Sequence, residues 1–189
     1  GEMINYTEMA ADVGIESPTV QSWALVLEQN QLIRIVRPYT SNINKRLIKT
    51  PKIYFEDVAL AARFQGWTQF APLFVSPYFG HFVENIVYSE LSRFYTNVGL
   101  EKKIFYLRNK EKIEIDFFIE LPNHVFIAIE VKMTHRDFTK EQIALIESLK
   151  INVTEKWIVS PQITDSAATF SRGRAVAMHD LYDDLIKYT

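Results

Sequence analysis

Apolar residues return at helical spacing twice near the start of the chain and at alternating spacing farther on. Tyr6, Met9, Ala10 and Val13 fall at i, i+3, i+4 and i+7, the repeat of a helix with one buried side. Asn5 stands at the N-cap with Glu8 three residues on, and Gly14 stands where a left-handed residue ends a helix. Val20, Trp23, Ala24 and Leu27 repeat the stripe after Ser17 and Pro18, and proline is at home in a first helical turn. Two short helices joined by a tight turn predict a helix-turn-helix. A strand over residues 32–37 stopped by Pro38, a turn at Ser41-Asn42 and a return over 46–49 toward Ile53-Tyr54-Phe55 predict a wing after it. Asp57 is placed to cap a further short helix ending near Gly66, and the stretch through Pro72 and Pro77 divides a first part, 1–72, from a second, 73–189.

The second part opens on a long helix pattern over residues 80–94, with Phe82, Val83, Ile86, Val87, Leu91 and Phe94 on its buried side. Glu84 lies at spacings of three, four and seven from Val87, Tyr88 and Leu91, at the margin of that stripe. Strands are predicted over 103–108, 113–120 and 125–133, joined by the polar turns Asn109-Lys110-Glu111-Lys112 and Pro122-Asn123. Thr139 and Gln142 then have capping-box spacing ahead of Ile143, Ile146 and Leu149. Trp157-Ile158-Val159 reads as another strand, residues 174–178 as one more, and 181–186 as a closing helix. The order from residue 80 is α-β-β-β-α-β, and the chain as a whole reads as α/β (α+β).

Alternation along two of these strands selects the candidate chemistry. Glu114, Asp116, Phe118 and Glu120 share one side of the second strand, and Phe126, Ala128, Glu130 and Lys132 share one side of the third. A charged side facing water is the ordinary arrangement in antiparallel sheets. Phe118, Phe126 and Ala128 on that same side argue instead for a partly covered face, the composition of a cleft. Unpaired charges buried there would cost several kcal/mol each, roughly, and a divalent cation between the carboxylates would offset this. Hard oxygen ligands from Asp116 and Glu130 suit Mg²⁺ or Mn²⁺, with Glu84 reaching the metal through water or holding a second ion. Phosphodiester hydrolysis fits such a set: the metal generates a hydroxide, and Lys132 positions or neutralises the attacking group or the developing charge. A set of structural ion pairs, with Lys132 bridging the carboxylates, is the alternative.

Composition narrows the setting. With hydrophobic residues at 48% and charged ones at 23% of 189 residues, the chain can build a core without a metal or disulfide staple. It has no cysteine, and His81, His124, His135 and His179 are scattered, so neither a disulfide scaffold nor a structural zinc site is expected. No apolar run reaches the roughly 20 residues of a membrane helix, and the N-terminus lacks a signal-peptide pattern, so a cytoplasmic location is expected. Gly1-Glu2 running directly into helical sequence reads as a piece of a longer chain. The net charge of −2 hides a strip without acids between Glu28 and Glu56, where Arg34, Arg37, Lys45, Arg46, Lys49 and Lys52 fall. Such a strip is either a nucleic-acid footprint or a solvated hairpin. Thr19, Gln21 and Ser22, the exposed positions of the second helix, are short and uncharged, a weak head for reading bases.

The helix with Glu84, then Ile-Glu-Ile-Asp116, then Ile-Glu130-Val-Lys132, resembles the PD-(D/E)xK motif in its α-β-β-β-α-β core. The segments Thr19–Trp23, Leu27-Glu28, Leu32-Ile33, Pro38-Tyr39, Lys45-Arg46, Pro51–Asp57, Gly80–Glu84 and Glu114–Phe117 together resemble domain of unknown function family 4143 over nearly the whole chain. The resemblance implies an N-terminal winged helix-turn-helix followed by a restriction-endonuclease-like domain. It also implies attachment to an N-terminal P-loop ATPase of the AAA type, and DNA as the partner. The family often has a Gly and a Trp around the first hairpin, where this chain has Leu107-Arg108 and Asn109–Lys112. The chain has no G-x-x-x-x-G-K-S/T sequence, so no ATP site of that kind is expected in it. A module that binds nucleic acid or protein and regulates the ATPase without cutting anything is the other function the resemblance accommodates.

Overall fold

The computed structural model describes residues 1–39, 50–134, 136–164, 166 and 170–189. The expected wing turn at Ser41-Asn42, the return over 46–49, and Lys45, Arg46, Lys49 and His135 lie outside the described residues. The chain divides into two compact units, residues 1–37 with 50–85 and residues 38–49 with 86–189. Among the described residues, no helix is long and apolar enough to cross a membrane.

The first unit runs β1 (Glu2–Met3), α1 (Tyr6–Val13), α2 (Ser17–Gln29), β2 (Ile33–Val36), β3 (Lys52–Phe55), α3 (Val58–Phe64) and α4 (Phe70–Phe74), and takes in the start of α5 (Phe79–Asn97). Its termini follow the local chemistry read from the sequence. The Asn5 side chain accepts from the Thr7 and Glu8 amides, and Gly14 adopts φ 70°, ψ 34°. Asp57 accepts from the Ala59 and Leu60 amides at the head of α3. The strands form an antiparallel sheet in the order β1-β3-β2, with Ile35 opposite Ile53. Helix α4 was not foreseen. Pro72 sits within its first turn, where a missing N–H removes no helical hydrogen bond.

The apolar stripes of α1 and α2 are buried only in part, contrary to expectation. Ala10, Val20 and Ala24 are enclosed, whereas Met9, Val13, Trp23 and Leu27 are 44%, 64%, 56% and 41% exposed. Small side chains occupy the fully buried positions of this helix pair, Tyr6 is half-buried, and the other large members of each stripe are exposed.

The second unit carries the site. After α5 come β4 (Ile104–Arg108), β5 (Glu114–Leu121), β6 (Val125–Val131), α6 (Lys140–Glu147), β7 (Glu155–Ser160), β8 (Arg174–Ala177) and α7 (Leu181–Ile186). The five strands lie in chain order, β4, β5 and β6 antiparallel, β7 and β8 parallel to β6. A parallel step requires a crossover, supplied here by α6, whose capping box between Thr139 and Gln142 is formed. Leu145, Ile146 and Leu149 pack with Phe118, Phe126 and Ala128, so the side of β5 and β6 that also bears charges is covered. Phe118 stacks on Phe126 at 5.6 Å, and Tyr39 meets both edge-on.

The segment leading into α6 is braced by the residues that precede β8 in the chain. Ser171 Oγ and the Arg172 amide donate to Asp137 Oδ2, and the Arg172 guanidinium donates to the Phe138 carbonyl. Gly173 allows this approach: a Cβ there would meet the Phe138 ring at 2.9 Å and the Lys156 carbonyl at 3.0 Å. Gly173→Ala should cost about 1–3 kcal/mol by overpacking, read as a lower urea midpoint with an unchanged m-value. A midpoint equal to wild type would show that Phe138 can step aside.

Candidate functional site

Antiparallel register places the two candidate carboxylates side by side. Phe118 pairs with Ala128 and Phe117 with Ile129, so Asp116 and Glu130 follow as the next pair along the ladder. The Val131 amide confirms the approach by donating to Asp116 Oδ2 at 2.8 Å. Lys132 follows the end of β6 with its own amide donating to the Val159 carbonyl, which fixes its backbone to β7.

Glu130 is the unusual member. It is 4% exposed, Oε1 accepts from the Lys132 ammonium, and Oε2 is buried without a hydrogen-bond partner. Burial pushes its carboxyl above the usual carboxylate range, against the Lys132 charge and, more weakly, the Lys132 and Gln142 side chains and the Asp116 backbone beside it. Orphaned buried oxygens are rare because each forfeits its hydration. The other buried side-chain polar atoms without a partner among the described residues, Ser76 Oγ and the nitrogen Trp157 Nε1, belong to neutral groups. Gln142 is buried as well. Its Oε1 accepts from the Thr139 amide, while its Nε2 donates to the Glu114 carbonyl at 2.9 Å, tying the first turn of α6 to β5. The capping spacing identified the first of these bonds; the second depends on a strand 28 residues away and left no local signal.

Glu84 is engaged elsewhere. Its Oε1 accepts from Lys52 Nζ at 2.9 Å and from the Tyr54 hydroxyl at 2.6 Å, all within the first unit. Burial works against ionisation, but the Lys52 charge, together with the Tyr54 hydroxyl, holds the carboxyl below its usual range. The same contact corrects the expectation for Lys52. Strand alternation turns it inward with Tyr54, and at 3% exposure it is not part of a solvent-facing basic strip. Of the remaining strip, Arg37 is exposed, and Arg34 pairs with Glu28 and Glu56, the two acids that bound the strip in sequence. Thr19 is half-buried, and Gln21 and Ser22 are exposed. Asn85, which the sequence did not single out, bonds both the amide and the carbonyl of Phe55 and so continues the edge of β3.

Among the described residues, no three His, Asp or Glu side chains gather where they could hold a metal ion. Asp116 and Glu130 thus stand as a pair of hard oxygen donors. Two carboxylates are what Mg²⁺ commonly takes from a protein, the rest of its shell being water and substrate phosphate. The orphaned Glu130 oxygen fits a cation that supplies the missing partner.

Fold and site define an α/β domain with a mixed five-stranded sheet and an acidic pair with a lysine at the end of its third strand from the edge. The chain belongs to the family described as Domain of unknown function (DUF4143), whose model matches residues 79–178. Residues 1–71 match a different model, Domain of unknown function (DUF8612), so the resemblance first drawn over nearly the whole chain divides between two families. Uncharacterized proteins of Mycobacterium tuberculosis and Mycobacterium bovis are each 25% identical to the chain over 134 residues. That segment is 71% of this chain and 29% of either relative, so the chain spans well under half of their length. No solved structure matches the chain.

Proposed function

We propose that residues 73–189 form a phosphodiesterase domain dependent on Mg²⁺ or Mn²⁺ that cleaves DNA, with the helix-turn-helix part, residues 1–72, contributing nucleic-acid contacts. The observation that carries this reading is the buried Glu130 carboxylate, one oxygen without a partner, beside Asp116 on the adjacent strand. A metal bound by the two would polarise the phosphate and make a hydroxide available at neutral pH. The chain's own residues prepare that site. The Val131 amide orients Asp116, α6 packs its apolar residues on the side of β5 and β6 that bears Glu130, and the partly exposed Lys132 side chain can meet negative charge developing on the phosphate. Arg34 and Arg37, with Lys45, Arg46 and Lys49, are the candidate phosphate contacts. Low net charge and the pairing of Arg34 make that binding modest and salt-sensitive. In a protein of the relatives' length, a P-loop ATPase module of the AAA type would occupy part of the remainder, inside the cell.

A second reading, a non-catalytic module that regulates such an ATPase, draws on the commitment of Glu84 to Lys52 and Tyr54, which removes one expected ligand. Calorimetric titration of Mg²⁺ and Mn²⁺, paired with nicking of a supercoiled plasmid, separates the two. Saturable binding and nicking, both lost in Asp116→Ala/Glu130→Ala, are the results expected of a nuclease. A wild type that binds neither ion and leaves the plasmid intact belongs to the regulatory reading.

A further inference from the structure

The chemistry at the end of β6 contains a contradiction. A carboxylate that is to receive a cation already has one, the Lys132 ammonium on Oε1, and yet its other oxygen is left bare in a dry setting. A purely structural ion pair would satisfy both oxygens, because a buried charge gains only when its remaining lone pairs are filled. A lysine held for catalysis alone would have no need to touch Glu130. The two side chains differ in surroundings: Glu130 is 6% exposed at its side chain and Lys132 28%, so the lysine is the more accessible of the two. Lysine also carries its charge on a flexible four-carbon stem as a point charge without fixed geometry. Residues i and i+2 of an extended chain share a side, so the reach from Lys132 to Glu130 needs no movement of β6.

We propose that Lys132 is a resident counter-cation, holding the Glu130 carboxylate in place and compensated until a divalent cation is bound there, and then turning outward to serve the phosphate. The inference rests on the metal-dependent reading above and deepens it into a rule for loading the site. Two cations on one buried carboxylate repel each other, so the divalent ion on the bare Oε2 and the ammonium on Oε1 compete, each weakening the other's hold. Competition has a measurable consequence. The apparent affinity for the ion is reduced by the fraction of molecules in which the ammonium has already left. The same contact stabilises the metal-free protein, since without it the buried carboxylate would have no counter-charge.

The test uses the full chain, with Mg²⁺ alone as the probe. Wild type, Lys132→Met and Lys132→Gln are compared by calorimetry and by thermal melting in EDTA and in saturating Mg²⁺. Both variants should bind Mg²⁺ more tightly, by about tenfold if the ammonium-off state is one molecule in ten. Both should melt lower than wild type in EDTA, and Mg²⁺ should raise their melting temperature by more than it raises that of wild type. Unchanged or weaker Mg²⁺ binding in both variants, with saturable binding in wild type, overturns the counter-cation role and leaves the metal site standing. No saturable binding in any of the three removes the metal reading and this inference with it. Variants that stay unfolded even in Mg²⁺ also count against it, because the ion is expected to replace the ammonium.

Discussion

Glu130→Gln should abolish Mg²⁺ binding and phosphodiester cleavage while making the metal-free protein more stable. Glutamine has the shape of the neutral acid, so the substitution removes the charge and little else. On the activity side, losing a ligand forfeits several kcal/mol of transition-state charge stabilisation. At about 1.4 kcal/mol per decade this is a loss on the order of 10³-fold or more. On the stability side, burial raises the Glu130 carboxyl above its ordinary range despite Lys132, so the fold holds that proton more tightly than the unfolded chain does. Ionisation therefore destabilises the metal-free fold: the penalty is absent below the ordinary carboxylate range of about 4.3, grows as pH rises through the raised value, and is constant above it. With Lys132 at the more accessible end of the pair, replacing the buried carboxylate by its neutral isostere should appear near neutral pH as a higher denaturation midpoint in EDTA. The gain should shrink on acidification. A variant less stable than wild type at pH 7 in EDTA would mean that the Lys132 pair outweighs desolvation at this site. Retained cleavage would remove Glu130 from the chemistry altogether.

Lys52→Met should be among the most damaging single substitutions outside that site. Lys52 and Glu84 form an ion pair at 2.9 Å with side chains 3% and 12% exposed, and Tyr54 completes the contact. Removing one partner leaves a buried charge uncompensated, about 3–5 kcal/mol, against a total stability of roughly 5–15 kcal/mol for a domain. Removing all the polar groups together is much milder, so the triple variant Lys52→Met/Tyr54→Phe/Glu84→Leu should recover most of the loss. The pH dependence runs opposite to that of Glu130. Glu84 has a depressed carboxyl, so its contribution is fully present above the ordinary carboxylate range and is lost as pH falls through the depressed value. Denaturation midpoints between pH 7 and pH 3 should accordingly fall more steeply in wild type than in the triple variant. Equal slopes would place the acid sensitivity elsewhere.

These two carboxylates show why some of the molecule was legible beforehand and some was not. The caps of α1, α3 and α6, the strand–strand–strand–helix–strand order and the face shared by Asp116, Phe118, Ala128 and Glu130 are local properties. Each follows from backbone groups that need a partner within a few residues, or from the two-residue period of a strand. Helix α4 was missed because proline in a first turn reads as a break when the turn is not anticipated. The exposed stripes of α1 and α2 were misread for a different reason: periodicity shows which residues share a side and not how much of that side another element covers.

The sequence by itself determined the element order, the α/β class, and the placing of an acid, a second acid and a lysine on one covered side of adjacent strands. Tertiary structure alone decided which charges meet. Lys52 could not be recognised as buried, nor Glu84 as its partner, because the two are separated by 32 residues and only the packing of β3 against α5 joins them. Whether Glu130 keeps one oxygen bare was equally invisible, since hydration is lost to whatever side chains fold over a group, wherever they stand in the chain. Local hydrogen bonding and side-chain period are written residue by residue; desolvation and charge pairing belong to the assembled chain.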